Sequence, residues 1–293
     1  MKNEIILNEK LYAERMLRDG FDGIVSYRDL SILAKYYYHV EGLRKKKILG
    51  KLVEYLGTNG HEYKDDWRNI GEMLEKIAGN AGKYKLYEIN GVRITRAELE
   101  VIDNLRTKKI RRFAFTLLCL AKLSNLKSEK KAGWVNQKPR DIFKMAHITC
   151  CVDEQNSIIS DMYDLDLVDF AEIDESESIR VKYINDDSDE VLFVSDFREL
   201  GYEYLLYCGE NFIHCAECGI LTRGNKYGNK MYCNECAIPV AQVSKTETCV
   251  DCGCVFVTNA KNNHIKRCPH CSYLRAKDMK SARNKRYYDK LRR

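Results

Sequence analysis

Thirteen cysteines stand in this 293-residue sequence, and nine of them fall between Cys215 and Cys271. Eight of the nine form two quartets. The first is Cys215-Ala-Glu-Cys218-Gly219 with Cys233-Asn-Glu-Cys236, and the second is Cys249-Val-Asp-Cys252-Gly253 with Cys268-Pro-His-Cys271. Fourteen residues separate Cys218 from Cys233, and fifteen separate Cys252 from Cys268. Zinc takes four soft ligands in a tetrahedron, with each sulfur about 2.3 Å from the ion. Two sulfurs converge from each C-x-x-C turn, and the glycine that follows tolerates left-handed backbone. Two complete quartets in tandem therefore predict two structural Zn2+ sites, held by Cys215, Cys218, Cys233, Cys236, Cys249, Cys252, Cys268 and Cys271.

Disulfide pairing or redox C-x-x-C chemistry is the competing reading. A redox dithiol is normally a single motif beside a βαβ pattern, which is absent here. A catalytic zinc keeps an open position and recruits His or a carboxylate. Both quartets are already filled by cysteine, so no catalytic residue is assigned. His214, Cys254 and His270 sit beside the ligands; Cys254 competes with Cys252, but the C-x-x-C spacing favours Cys252. A four-thiolate site carries a formal charge of about −2, which Lys245, Lys266 and Arg267 are placed to offset. Cys119, Cys150, Cys151 and Cys208 lie outside the array and read as small buried hydrophobes.

The 22 residues after Cys271 hold nine basic and two acidic side chains. The cations are Arg275, Lys277, Lys280, Arg283, Lys285, Arg286, Lys290, Arg292 and Arg293. The segment has neither Pro nor Gly, so a helix is permitted, with Tyr273, Met279, Tyr287 and Leu291 as a sparse apolar stripe. A basic helix rooted on a zinc knuckle suits a phosphate backbone, which makes nucleic acid, DNA before RNA, the expected partner. A solvated tail, or an acidic protein partner, would use the same residues.

Total charge, +6, conceals an internal asymmetry. Residues 1–105 carry a net +1, 106–149 +10, 150–212 −15 and 213–293 +10. Eight zinc-bound thiolates would lower the total to about +2, so the distribution is more informative than the sum. The composition, 45% hydrophobic and 31% charged with three prolines, is that of a globular protein. Met1–Lys10 lacks the pattern of a signal peptide. The apolar stretch Phe113–Leu123 contains Lys122 and is too short to span a bilayer. A cytoplasmic protein is expected, with no membrane role and no small-molecule substrate.

The elements that would position these sites read as an α+β chain. Helical periodicity begins after Ser26-Tyr-Arg-Asp29, which resembles a capping box, with Leu30, Leu33, Ala34, Tyr37 and Tyr38 on one face. Further helices are predicted over Leu43–Leu56 and Asp66–Ala78. The cluster Arg44–Lys47 reads as a solvated face. Asn90-Gly91 predicts a hairpin within Leu86–Thr95, and Thr95-Arg-Ala-Glu98 a capping box. Helices over Ile110–Leu123, Arg140–Ala146 and Glu154–Leu165 precede alternating segments at Ser178–Ile184 and Glu190–Val194, separated by the acidic turn Asn185–Asp189. Three helices followed by a β-hairpin is the order of a winged helix. A small α+β packing unit with no DNA role accounts for the same pattern. Asp153, Glu154, Asp161, Asp164 and Asp166 would repel phosphate from the third helix; if the fold is a winged helix, Arg106–Arg112 is the expected nucleic-acid-facing flank, and the alternative is that the acidic region docks against the protein's own basic parts. Thr222–Tyr232 and Val255–Lys266 have the length of small β-hairpins between the cysteine pairs.

The division that follows is a helical domain with a short hairpin (1–105), a winged-helix domain with an acidic second half (106–212), tandem zinc ribbons (213–271) and a basic helical tail (272–293). From about Phe212 onward, the C-x-x-C-Gly pair, Phe256, the second C-x-x-C and the Arg- and Tyr-rich helix resemble zinc-ribbon segments encoded by bacteriophages and mobile elements of Gram-positive bacteria. That resemblance implies zinc binding; Cys254 departs from it, standing where a charged or polar residue is usual. Three functions remain open. One is a non-enzymatic DNA-binding regulator or replication accessory factor of a phage or mobile element. Another is a protein–protein adaptor that uses the ribbons and residues 150–212. The third is a nuclease, for which Asn262, Asn263 and His264 lie between cysteine pairs but no second histidine or acid stands beside His264.

Overall fold

The computed structural model describes residues 5–20, 25–58, 67–128, 132–171, 178–241, 244–259 and 265–291. The fold is α+β, and the chain divides into two compact units, Met1–Glu210 and Asn211–Arg293. No helix among the described residues is long and apolar enough to cross a membrane.

Unit 1 begins with four helices, α1 (Glu9–Asp19), α2 (Tyr27–His39), α3 (Lys45–Thr58) and α4 (Trp67–Asn80). Their shared core includes Leu30, Leu33, Ile48, Leu52 and Leu74, all buried. The expected capping box opens α2. The Asp29 carboxylate accepts from the backbone N–H of Ser26 at 2.9 Å, while the Asp29 N–H donates to the Ser26 hydroxyl. Tyr12 of α1 donates to the other Asp29 oxygen at 3.0 Å, so the cap also docks two helices. The Lys45–Lys47 side chains at the start of α3 are exposed, as expected of a solvated face.

The remainder of unit 1 runs β1 (Val92–Thr95), α5 (Arg96–Asp103), α6 (Lys108–Lys127), β2 (Trp134–Val135), α7 (Pro139–Met145), α8 (Val152–Asp164), β3 (Val168–Phe170), β4 (Ile179–Val181), β5 (Glu190–Val194) and α9 (Leu200–Tyr207). Helix α6 is buried on every side from Phe113 to Leu123, as an all-round apolar helix must be. Phe113 stacks on Phe143 of α7, and Phe115 packs on Tyr204 of α9. Gly201 lets α9 approach the end of α7, because an added Cβ there would lie 2.1 Å from the Ala146 carbonyl oxygen.

Two strand pairings differ from expectation. The hairpin around Asn90-Gly91 does not form. Residue 88 bridges Asn8, and β1 pairs antiparallel with β5, placing Val92 opposite Val194. The hairpin of Ser178–Ile184 with Glu190–Val194 is likewise absent, since β4 lies between β2 and β3 in a sheet of order β2-β4-β3. The physical reason is burial. Ile179 and Val181 of β4 face a core with Val135 and Val168, whereas Val194 meets Val92, and one hairpin could not satisfy both.

Unit 2 repeats a pattern: β6 (Phe212–His214), β7 (Leu221–Arg223) and α10 (Asn234–Ala241), then β8 (Ser244–Thr248), β9 (Val255–Asn259) and α11 (Pro269–Leu291). In each half the strands pair antiparallel around the first C-x-x-C turn. The hairpins therefore straddle that turn instead of lying within Thr222–Tyr232 and Val255–Lys266. In the first half the chain then turns back over Asn225–Gly228, without forming a further strand, and returns Cys233 to the site.

One buried ion pair ties unit 1 together. The Lys122 Nζ of α6 donates to both Glu98 oxygens of α5, at 2.7 and 2.9 Å, and reaches Asp186 at 2.8 Å. Glu98 is fully buried, and its carboxylate also accepts from the N–H groups of Thr95 and Asn185. Every lone-pair direction of the acid is thus used across four segments. Removing one partner from a buried pair typically costs about 3–5 kcal/mol, while an apolar replacement of both costs far less. Lys122→Ala should destabilise unit 1 by about that amount, and the double variant Glu98→Leu/Lys122→Met by clearly less. Urea unfolding followed by circular dichroism measures both.

Candidate metal centres

Each quartet of cysteines converges. The sulfurs of Cys215, Cys218, Cys233 and Cys236 all lie within 4.8 Å of one another, as do those of Cys249, Cys252, Cys268 and Cys271. The Cys218–Cys233 and Cys252–Cys268 sulfur separations are both 3.8 Å. A regular tetrahedron with sulfurs about 2.3 Å from its centre has edges of about 3.8 Å, whereas a disulfide bond is only about 2.05 Å long. The spacing fits a tetrahedral metal ion and not a cystine, and the two clusters fit zinc ribbons.

The backbone prepares each site for thiolate. In the first, the Cys215 N–H donates to the Ile220 carbonyl at 2.9 Å, the Gly219 N–H to the Cys215 carbonyl at 2.9 Å, and the Ala216 N–H to the Met231 carbonyl at 2.9 Å. The second repeats these bonds with Cys249 and Cys254, Gly253 and Cys249, and Val250 and Lys266. Gly219 and Gly253 take φ of +69° and +71°, the left-handed backbone their spacing predicts. The Cys218 N–H aimed at the Cys215 sulfur is the main cause that lowers this thiol to about 6; at Cys249 the same effect comes first from the Cys268 N–H, again to about 6. The Cys236 and Cys271 thiols are pushed up, because they donate to neighbouring sulfurs.

The third ligand of each site also caps a helix. Cys233 precedes α10 and Cys268 precedes α11, and their sulfurs accept the N–H of Cys236 and Cys271, both at 3.4 Å. A thiolate there meets the positive end of the helix dipole. Pro269 suits the opening turn of α11, where its missing N–H costs nothing. Ligand Cys271 itself sits in that turn, so the second site roots the basic helix.

Cys254 occupies the place of Ile220 in the repeat, where its carbonyl closes the turn. Its thiol is exposed and hydrogen-bonded with Cys252 and Cys268, which push it up to about 12. The clustered quartet contains Cys252 and not Cys254, as the spacing indicated. Aligning the two halves of the repeat would have identified Cys254 with Ile220 from sequence. His214 and His270 are exposed and outside the quartets. Lys266 is exposed, Lys245 lies on β8, and Arg267 donates to Asp251 at 2.6 Å, linking the two turns of the second site. Of the other cysteines, Cys119 is buried as expected. Cys150 is half-buried and Cys151 and Cys208 are exposed, because the latter two cap α8 and α9 at helix ends and do not sit within a core.

The tail cations Arg275, Lys277, Lys280 and Arg283 are exposed on α11. Lys285, Arg286 and Lys290 lie on the same helix, while Arg292 and Arg293 lie outside the described residues, as do Asn262, Asn263 and His264. The flank Arg106–Arg112 is largely engaged within unit 1. Lys108 pairs with Glu210, Lys109 with Glu154, Arg111 donates to the Leu105 carbonyl and Arg112 to that of His147.

Comparison of the chain with protein-family models, with curated proteins and with solved structures finds no match.

The purified chain should carry two metal ions. Cys215→Ser and Cys249→Ser should each lower that number to one, measured by mass spectrometry under native conditions, and Cys254→Ser should leave it at two. Loss of an ion from the Cys254→Ser variant would instead assign Cys254 as a ligand.

Proposed function

We propose that the chain is a non-enzymatic, zinc-dependent nucleic-acid-binding protein. On this reading it acts on DNA in preference to RNA, as a regulator or replication accessory factor of a phage or mobile element. The observation that carries the proposal is α11, a 23-residue basic helix whose first turn holds a ligand of the second site. Such a helix is about 35 Å long, enough to follow a phosphate backbone for roughly one turn of duplex. Cys215, Cys218, Cys233 and Cys236 would hold one zinc ion, and Cys249, Cys252, Cys268 and Cys271 the other. The ion contributes folding free energy, on the order of 10–16 kcal/mol for structural sites. The protein's own part is to fix the N-terminus of α11 and present Arg275, Lys277, Lys280 and Arg283 to phosphate.

Unit 1 supports a second reading, that of a protein-docking module. The order α6, β2, α7, α8, β3 and β4, with sheet order β2-β4-β3, supports reading this part of unit 1 as a winged helix. In that arrangement α8 takes the recognition position, yet its exposed face carries Asp153, Asp161 and Asp164. Those charges disfavour DNA and favour a basic polypeptide.

Titration of duplex DNA, monitored by fluorescence anisotropy at several salt concentrations, tests the first reading. Five phosphate contacts predict a log–log salt slope of about −4.5, a weakening of several hundred-fold between about 50 and 200 mM salt. Deleting residues 272–293, which spares all eight ligands, should flatten that slope towards zero. An unchanged slope would overturn the assignment of the helix.

A further inference from the structure

Unit 1 exposes an apolar group beside uncompensated acid. Tyr163, 52% exposed at the end of α8, stacks on Phe170 of β3, 44% exposed, with ring centroids 5.4 Å apart. Leu165 next to them is 57% exposed. Along the same helix Asp153, Ser157, Ser160, Asp161 and Asp164 are exposed at positions i, i+4, i+7, i+8 and i+11, which form one continuous face. Neighbouring acids are already paired, Glu154 with Lys109 and both Asp166 and Asp169 with Lys182. Among the described residues, Asp153, Asp161 and Asp164 form no ion pair. An aromatic pair left in water beside three free carboxylates describes a docking surface for a segment that is both basic and apolar.

The chain itself contains such a segment. On α11, Tyr273, Lys277 and Lys280 recur at i, i+4 and i+7, and Tyr273 is 66% exposed. This face has the complementary charge, an exposed aromatic side chain and the same i, i+4, i+7 repeat as the α8 face. We propose that the α8–β3 face of one copy binds helix α11 of a second copy, giving a reciprocal dimer. Each copy contributes one acidic face and one basic helix. Two identical contacts related by a two-fold axis close the assembly, as an isologous dimer requires. Lys277 and Lys280 would then be occupied in the dimer, so a polyanion competes with self-association. The inference stands whether or not nucleic acid is the natural polyanion.

A charge-swap experiment on the full chain tests it. Sedimentation velocity at about 50 mM salt should show the wild type moving from monomer to dimer with concentration. The variant Asp161→Lys/Asp164→Lys has a basic face and a basic helix, and should associate at least about tenfold more weakly. The variant Lys277→Glu/Lys280→Glu has an acidic face and an acidic contact face on α11, and should fail in the same way. Mixed in equal amounts, the two variants regain complementarity at both contacts and should form a heterodimer. Tyr163→Ser, which keeps every charge, should weaken the wild-type dimer as well. Two metal ions per chain and unchanged circular dichroism confirm that each variant is folded. A wild type that stays monomeric, variants that dimerise like the wild type, or a mixture that stays monomeric would each overturn the proposal.

Discussion

The convergence of four sulfurs, twice over, is the constraint on which unit 2 depends. Its described residues bury only Phe212 and Leu221 beyond the cysteines Cys215, Cys233, Cys249 and Cys268. Two such side chains offset little of the conformational entropy of ordering the described residues, for which each backbone position alone costs about 1–2 kcal/mol. The thiols also crowd one another. Hydrogen bonds raise the Cys236 and Cys271 thiols, while the backbone N–H groups draw Cys215 and Cys249 towards thiolate. Four thiolates 3.8 Å apart repel strongly unless a cation sits between them. The strand pairs, the glycine turns and the first turn of α11 all follow from satisfying that centre.

Unit 1 solves the same problem with apolar area. Helix α6 is buried throughout, and the pieces around it are fixed by a few directional bonds. Lys122 is the instructive case. As the one cation within an apolar helix segment, it cannot be buried unpaired. Glu98, at the third position of α5, accepts the Thr95 N–H and the Lys122 ammonium together. The capping box seen in the sequence therefore does two jobs, starting a helix and neutralising the core. At the other end of the domain, His147 holds a φ of +53°, an uncommon backbone for a side-chain-bearing residue. Tyr202 stacks on its ring at 3.6 Å and Glu199 bonds its Nε2, so α9 secures the turn between α7 and α8.

Local chemistry was legible in the sequence, and long-range pairing was not. C-x-x-C-Gly specifies its own turn within five residues, so all eight clustered cysteines could be named without a structure. Helices α2, α3, α4 and α6 were equally visible, because a 3.6-residue period and a cap lie within one stretch of chain. Strand partners carry no such signal. Asn90-Gly91 has hairpin chemistry, but Val92 and Ile94 are buried by pairing with residues a hundred positions later, and tertiary burial overrode the turn. The segment 178–184 alternated correctly yet gave no indication that its neighbours would be Val135 and Val168. Two cations of the flank Arg106–Arg112 pair with acids of residues 150–212, Lys109 with Glu154 and Lys108 with Glu210, partners that are distant in sequence.

The distribution of charge follows from these two modes of stability. The described residues of unit 2 bury few apolar side chains, and with metal bound each four-thiolate centre would contribute a formal charge of about −2, offsetting part of the unit's cationic surface. Unit 1 has no internal anion of that kind. Its surplus acid lies on the surface, and among the described residues Asp153, Asp161 and Asp164 on the face of α8 form no ion pair. Phosphate would be repelled there by Asp153, Asp161 and Asp164. An acidic face of that kind disfavours phosphate and favours a partner of positive charge.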